Sequence, residues 1–168
     1  MSEPITTSQQ VLRLAYRVAY LLIYSYRFLR RPQTYGVQLI LTSGTQLLLV
    51  RHSYGHRSKW ALPGGGRRRG ESALACAHRE LAEELGVVGV FREVDVVEVF
   101  HDYHDDTVNV FVVTGIWEQL QLDKIEISEA QWFEANNLPT NLTVLAATVL
   151  RKNLVGVRLN EQIPDVPA

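Results

Sequence analysis

Three glutamates, Glu80, Glu83 and Glu84, stand at i, i+3 and i+4 in the run Arg79-Glu80-Leu81-Ala82-Glu83-Glu84. On an α-helix those positions share one face, with neighbouring Cβ atoms about 5–6 Å apart. Three like charges that close repel one another. The grouping makes sense around a hard divalent cation such as Mg²⁺, which takes carboxylate oxygens together with water and substrate phosphate. Upstream, Gly64, Gly65 and Gly66 let the backbone approach a metal or phosphate where a Cβ would intrude. Arg79 can pair with Glu71 or another carboxylate and orient it, as groups behind a metal ligand do.

Such a cluster needs rigid elements beneath it. The carboxylates fall in a helix expected over 72–85, stopped by Gly86 as a left-handed C-terminal residue. Leu74, Leu81 and Leu85 occupy its reverse face and are expected to anchor it. Strand-like apolar runs cover 35–42 and 46–52 around Ser43-Gly44, a hairpin signal. Further strands are expected over 93–100, 108–117 and, briefly, 131–133, with a closing helix over 142–153. Strands flanked by two helices predict an α/β sandwich around a mixed sheet.

The chain's 168 residues suit one domain with a proper core. With 46% hydrophobic and 21% charged residues it reads as globular. A net charge of −1 argues against a general nucleic-acid binder, which needs a broad basic surface. The single cysteine, Cys76, allows no intrachain disulfide and fits a reducing, cytoplasmic setting. Cys76 is expected to pack as a small thiol, since soft sulfur suits zinc better than magnesium.

The first 32 residues differ from the rest, carrying five arginines against one acid. A helical pattern runs from Val11 to Leu29 and ends at Arg30-Arg31-Pro32. Arg13, Arg17, Tyr20, Tyr24, Arg27 and Arg31 form one stripe, with Val11, Ala15, Val18, Leu22 and Leu29 opposite. Arginines interrupt the apolar run, so neither a secretory signal nor a spanning helix is expected. Two roles stay open: packing on the domain or on a homodimer partner, or lying in a membrane interface through residues 11–31. The expected division is therefore 1–32 as a basic amphipathic helix and 33–168 as the catalytic domain.

Gly65, five residues, Glu71, seven residues, then Arg79-Glu80-Leu81-x-Glu83-Glu84-x-Gly86-Val87 resembles the Nudix box of the Nudix hydrolases, with every fixed position filled. The resemblance extends from about residue 35 to 153. It implies an α/β/α sandwich, Mg²⁺ or Mn²⁺ held by Glu80, Glu83 and Glu84, and water attack on a nucleoside diphosphate linked to another moiety. Glu80 is then the first candidate base, and Glu126 stands where some members place a further metal-binding glutamate. Gly65 is expected at the metal, Arg79 in the catalytic set, and Glu71, Gly64 and Gly86 as structural support.

Substrate choice lies elsewhere. Asp102, Tyr103 and His104 join two strands in a loop rich in ligand-capable groups. Arg67-Arg68-Arg69 falls inside the box and, with Arg51, could meet phosphate. Trp60 is expected in the core rather than as a base-stacking platform. Two other functions are compatible with the box: a catalytically weak nucleotide-sensing module, and a nucleoside triphosphate pyrophosphohydrolase.

Overall fold

The computed structural model describes residues 7–30, 33–100, 105–115, 117 and 120–153. Its elements are α1 (Thr7–Arg30), β1 (Gln33–Ser43), β2 (Gln46–His52), α2 (Ala73–Leu85), β3 (Val90–Phe100), β4 (Asp105–Thr114), β5 (Ile127–Glu134) and α3 (Val144–Asn153). The strands form one mixed sheet in the order β3-β4-β1-β2-β5, with β1 parallel to β4 and the other neighbours antiparallel.

Period-two alternation sorts the strand side chains between two faces. Val37, Leu39 and Leu41 of β1, Leu48 and Val50 of β2, and Phe111 and Val113 of β4 meet Cys76, Ala77, Leu81 and Leu85 of α2. The intervening residues, among them Ile40, Leu47, Leu49, Val110 and Val112, meet Ala146, Val149 and Leu150 of α3 together with Trp60 and Leu62. Two helices thus cover opposite faces of one sheet, the expected α/β/α sandwich with a mixed β-sheet. Because both faces are covered, residues 36–41 of β1 are all buried rather than alternately so. Truncating a fully buried anchor such as Leu85 to alanine would cost about 2–5 kcal/mol.

The sequence misplaces some boundaries. β5 runs from Ile127 to Glu134 although ISEAQWFE has little strand character, because it pairs along the length of β2. β4 ends at Thr114, short of the expected Trp117. Beyond Gly115 the Trp117 indole instead donates to Thr42 O at 2.8 Å and joins the α2-side core. α3 starts later than expected, behind Thr143, whose hydroxyl accepts from the Ala146 N–H at 3.3 Å. The turn Gly44-Thr45 closes the first hairpin, with Gly44 at φ 58°. Trp60 lies in the core as expected, edge-on to Phe133.

Candidate functional site

α2 is built to hold its carboxylates still. Its sequence ALACAHRELAEEL contains no β-branched residue, glycine or proline. Ser72 caps it by accepting from the Ala75 N–H at 3.1 Å, and Gly86 ends it at φ 65° with its N–H on Ala82 O. The buried face comprises Cys76, Ala77, Glu80, Leu81, Glu84 and Leu85. Two of the three glutamates therefore sit on the margin of the core, and only Glu83 is exposed. Leu74, expected as an anchor, is 48% exposed. It stands in the first turn, where side chains lean back past the helix start and away from the sheet.

Arg79 ties the carboxylates together. Its Nε and Nη2 donate to the two oxygens of Glu71 at 2.8 and 2.9 Å, and Nη1 donates to Glu80 Oε1 at 2.6 Å and Glu83 Oε2 at 3.0 Å. Nη2 also reaches Gly66 O at 3.0 Å. These bonds hold the guanidinium firmly charged, Glu71 foremost. In return the Arg79 bond draws Glu71 down to about 2, helped by the Arg68 N–H. Glu71 is thus a fixed anion that orients the arginine.

Glu84 is 2% exposed and Glu80 is 8% exposed. Burial raises both carboxyls above their ordinary range, Glu84 well above it, although Arg79 works against this at Glu80 and the Gly64 N–H at Glu84. The Gly64 N–H donates to Glu84 Oε2 at 2.9 Å. Gly64 has φ 136°, and a Cβ there would meet Val37 O at 2.2 Å. At Gly65 a Cβ would fall 2.5 Å from Glu80 Oε1, so this glycine opens the backbone to the carboxylate. Gly66 has open space around it and does not share that role. Gly65 O accepts from the Val37 N–H at 3.0 Å and keeps a second lone pair.

Glu126 approaches from the β4–β5 connection, near enough for its charge to act on both Glu80 and Glu84. Its backbone is pinned to the end of β2: Ser53 N–H donates to Glu126 O at 2.7 Å and the Ser53 hydroxyl donates to Ile125 O. α1 grips the same segment. Arg13 donates from Nε and Nη2 to Lys124 O at 2.9 and 2.5 Å. Tyr16 hydrogen-bonds the Glu126 carboxylate, which pushes its phenol up to about 12. Tyr16 and Tyr20 pack on Tyr54, with ring centroids 6.1 and 5.8 Å away, and His52 stacks behind it at 5.2 Å. Burial raises Tyr54 and lowers His52 to about 4. Sequence reasoning found the Arg–Tyr stripe of α1 but not its target, which is the loop bearing Glu126.

The other expected residues divide. Arg67 donates from Nε and Nη2 to Glu71 O at 3.0 and 2.7 Å. With Arg68, Arg69, Tyr35 and Ser72 it lines a basic hollow of about 560 Å³ beside the carboxylates. Arg68 also bonds Glu83 Oε1 at 3.1 Å. Arg51 pairs with Glu129 at 2.9 Å and lies over the Trp60 ring, 4.1 Å from its centroid. Cys76 is buried as expected, its thiol pushed up to about 12 by burial. Asp102, Tyr103 and His104 lie outside the described residues.

The donor set suits a hard cation: buried oxygen ligands from a rigid helix, with a glycine where a side chain would block approach. Among the described residues, no three acidic, histidine or cysteine side chains already converge on one point. Arg79 and Arg68 hold Glu83.

A NUDIX domain matches residues 30–152. The chain is 32% identical over 109 residues to the NAD-capped RNA hydrolase of Caenorhabditis elegans, covering 64% of this chain and 29% of that protein. It spans less than a third of the length of the curated relatives it matches. In fold it resembles the MutT NUDIX hydrolase from Burkholderia pseudomallei, with TM-score 0.66, 20% identity, and 72% of this chain and 98% of that one covered. It also resembles the MutT protein from Methanosarcina mazei, with TM-score 0.64, 21% identity, and 73% and 94% covered.

Proposed function

The chain belongs to the NUDIX family, and from that premise we propose that it hydrolyses a diphosphate bond in a nucleoside diphosphate linked to another moiety, with Mg²⁺ as cofactor. The observation that carries this is the buried pair Glu80 and Glu84: the absent side chain of Gly65 leaves room for Glu80, the Gly64 N–H meets Glu84, and burial disfavours the charge of both. Glu80, Glu83 and Glu84, with Gly65 and Glu126, would hold the ion. Mg²⁺, or Mn²⁺ in its place, supplies charge neutralisation at the diphosphate and a more acidic water.

The remaining work falls to the protein. Glu80 is the first candidate for proton acceptor, because Arg79 Nη1 holds its Oε1 at 2.6 Å and so fixes where the carboxylate points. Arg79 and Glu71 fix the geometry of that carboxylate. The hollow of Arg67, Arg68 and Arg69 takes the phosphates that extend from the metal, and Tyr35 at its rim offers a ring for a base. Arg51 sits further along, committed to Glu129 and Trp60, and would reach phosphate only by leaving them. The relative that acts on NAD-capped RNA supports a substrate in which a diphosphate joins a nucleoside to something else.

A panel of nucleoside triphosphates, sugar nucleotides, dinucleotides and capped RNA, assayed for phosphate release with Mg²⁺ or Mn²⁺, tests the proposal. Turnover of a diphosphate-linked compound that falls by orders of magnitude in Glu83→Gln, with the melting temperature kept, supports it. Turnover confined to triphosphates would make the chain a nucleoside triphosphate pyrophosphohydrolase. Tight binding without turnover would make it a sensing module.

A further inference from the structure

Arg13, Arg17 and Tyr20 of α1 are half-buried toward the body of the protein, which leaves the opposite face of the helix outward. Of the fifteen large hydrophobic residues exposed among the described residues, nine belong to α1: Tyr16, which also touches Tyr54, and Val11, Leu12, Leu14, Val18, Leu21, Leu22, Ile23 and Tyr26. Apolar surface concentrated in this way marks an interaction site. A helix of 24 residues is about 36 Å long, long enough for a substantial contact.

We propose that this face pairs with the same face of a second copy of the chain. Leu12, Ala15, Ala19, Leu22 and Tyr26 follow one another at steps of three, four, three and four, the spacing of a helix–helix seam. The alanines leave room for two backbones to approach closely. Charge favours a second copy over a lipid surface. Between Val11 and Tyr26 the only charged residues are Arg13 and Arg17, and both are half-buried against the body. An interfacial helix keeps its cations on a solvent-facing polar side where headgroups meet them, and in this segment none is so placed. The chain's net charge of −1 also sets little repulsion between copies. Pairing would bear on the site, because the inner face of the same helix holds Lys124 O and the Glu126 carboxylate. The pairing itself does not depend on the hydrolytic activity.

Sedimentation velocity on the full chain across the micromolar range tests this, alongside Leu22→Glu and Ala19→Glu. The wild type should dimerise, and each variant should weaken self-association by about a hundredfold or more, because a carboxylate would be buried on the seam unpaired. Both positions are exposed in one copy, so melting temperatures should hold. A variant that unfolds would show the face to be covered within one copy, and that overturns the proposal. So does a wild type that stays monomeric, or a dimer that both variants leave intact. A monomer that co-sediments with phosphatidylcholine–phosphatidylglycerol vesicles would assign the face to lipid instead.

Discussion

Glu84→Gln should stabilise the cation-free protein and abolish its response to Mg²⁺. Glu84 and Glu80 are buried, and burial raises both above the usual carboxylate value of 4.5. A carboxyl raised on folding stabilises the fold at pH below 4.5, and that contribution is lost as pH climbs through its folded pKa. At neutral pH the cation-free fold therefore keeps both carboxyls where their charge is disfavoured, whereas the unfolded chain leaves them in water. A bound cation reverses this, because it favours the ionised form. With one site and Mg²⁺ at about a hundred times its Kd, linkage adds about 2.7 kcal/mol. In a chain of this size that is a rise of about 5–11 °C in Tm. Glutamine keeps an oxygen for the Gly64 N–H at the 2.9 Å contact but carries no charge to bury. Scanning calorimetry of chelator-treated protein, titrated with Mg²⁺ at constant ionic strength, reads both effects. The reasoning is refuted if the variant melts below wild type without cation and still rises as far with it.

Other perturbations have equally definite outcomes. Gly65→Ala puts a Cβ 2.5 Å from Glu80 Oε1, so the carboxylate must move, and kcat should fall about a hundredfold with Tm nearly unchanged; steady-state kinetics check it. Tyr16→Phe removes the hydroxyl that holds Glu126 and should shift the Mg²⁺ concentration for half-maximal rate by about tenfold, with little change at saturation. His52, lowered from 6.5 to about 4 by burial, stabilises the neutral-pH fold; that contribution is lost as pH falls from 6.5 towards 4. The loss is about 3 kcal/mol, measurable as the difference between urea midpoints of wild type and His52→Gln at pH 7 and pH 4.

The carboxylate face was legible because helical spacing alone brings Glu80, Glu83 and Glu84 together, and the cap residues Ser72 and Gly86 bound the helix chemically. Which of the three is buried was not. That depends on how α2 is rolled against β1 and β2, and the small residues Cys76 and Ala77 set that roll by allowing close approach. Leu74 stays in water for a different reason, its place in the first turn, since Leu85 on the same side of the helix is fully buried. Boundaries failed where pairing overrides local preference, as in β5, whose polar sequence is drawn into strand by β2.

α1 shows a different limit. Its two faces were plain in the sequence, and the usual rule would turn the apolar one inward. The structure turns Arg13, Tyr16 and Tyr20 inward instead, because the surface they meet offers the Lys124 carbonyl, the Glu126 carboxylate and the Tyr54 ring; Arg17 is carried in with them and its Nε is buried without a hydrogen-bond partner among the described residues. Glu80, Glu84 and Glu126 concentrate negative charge here, so a helix laid beside them gains more from an arginine and tyrosine face than from an apolar one. The helix outside the box thereby comes to support the carboxylate that lies furthest from the box in sequence. Its apolar face is left outward by that choice, so the electrostatics beside Glu126 explain why the helix displays hydrophobic residues.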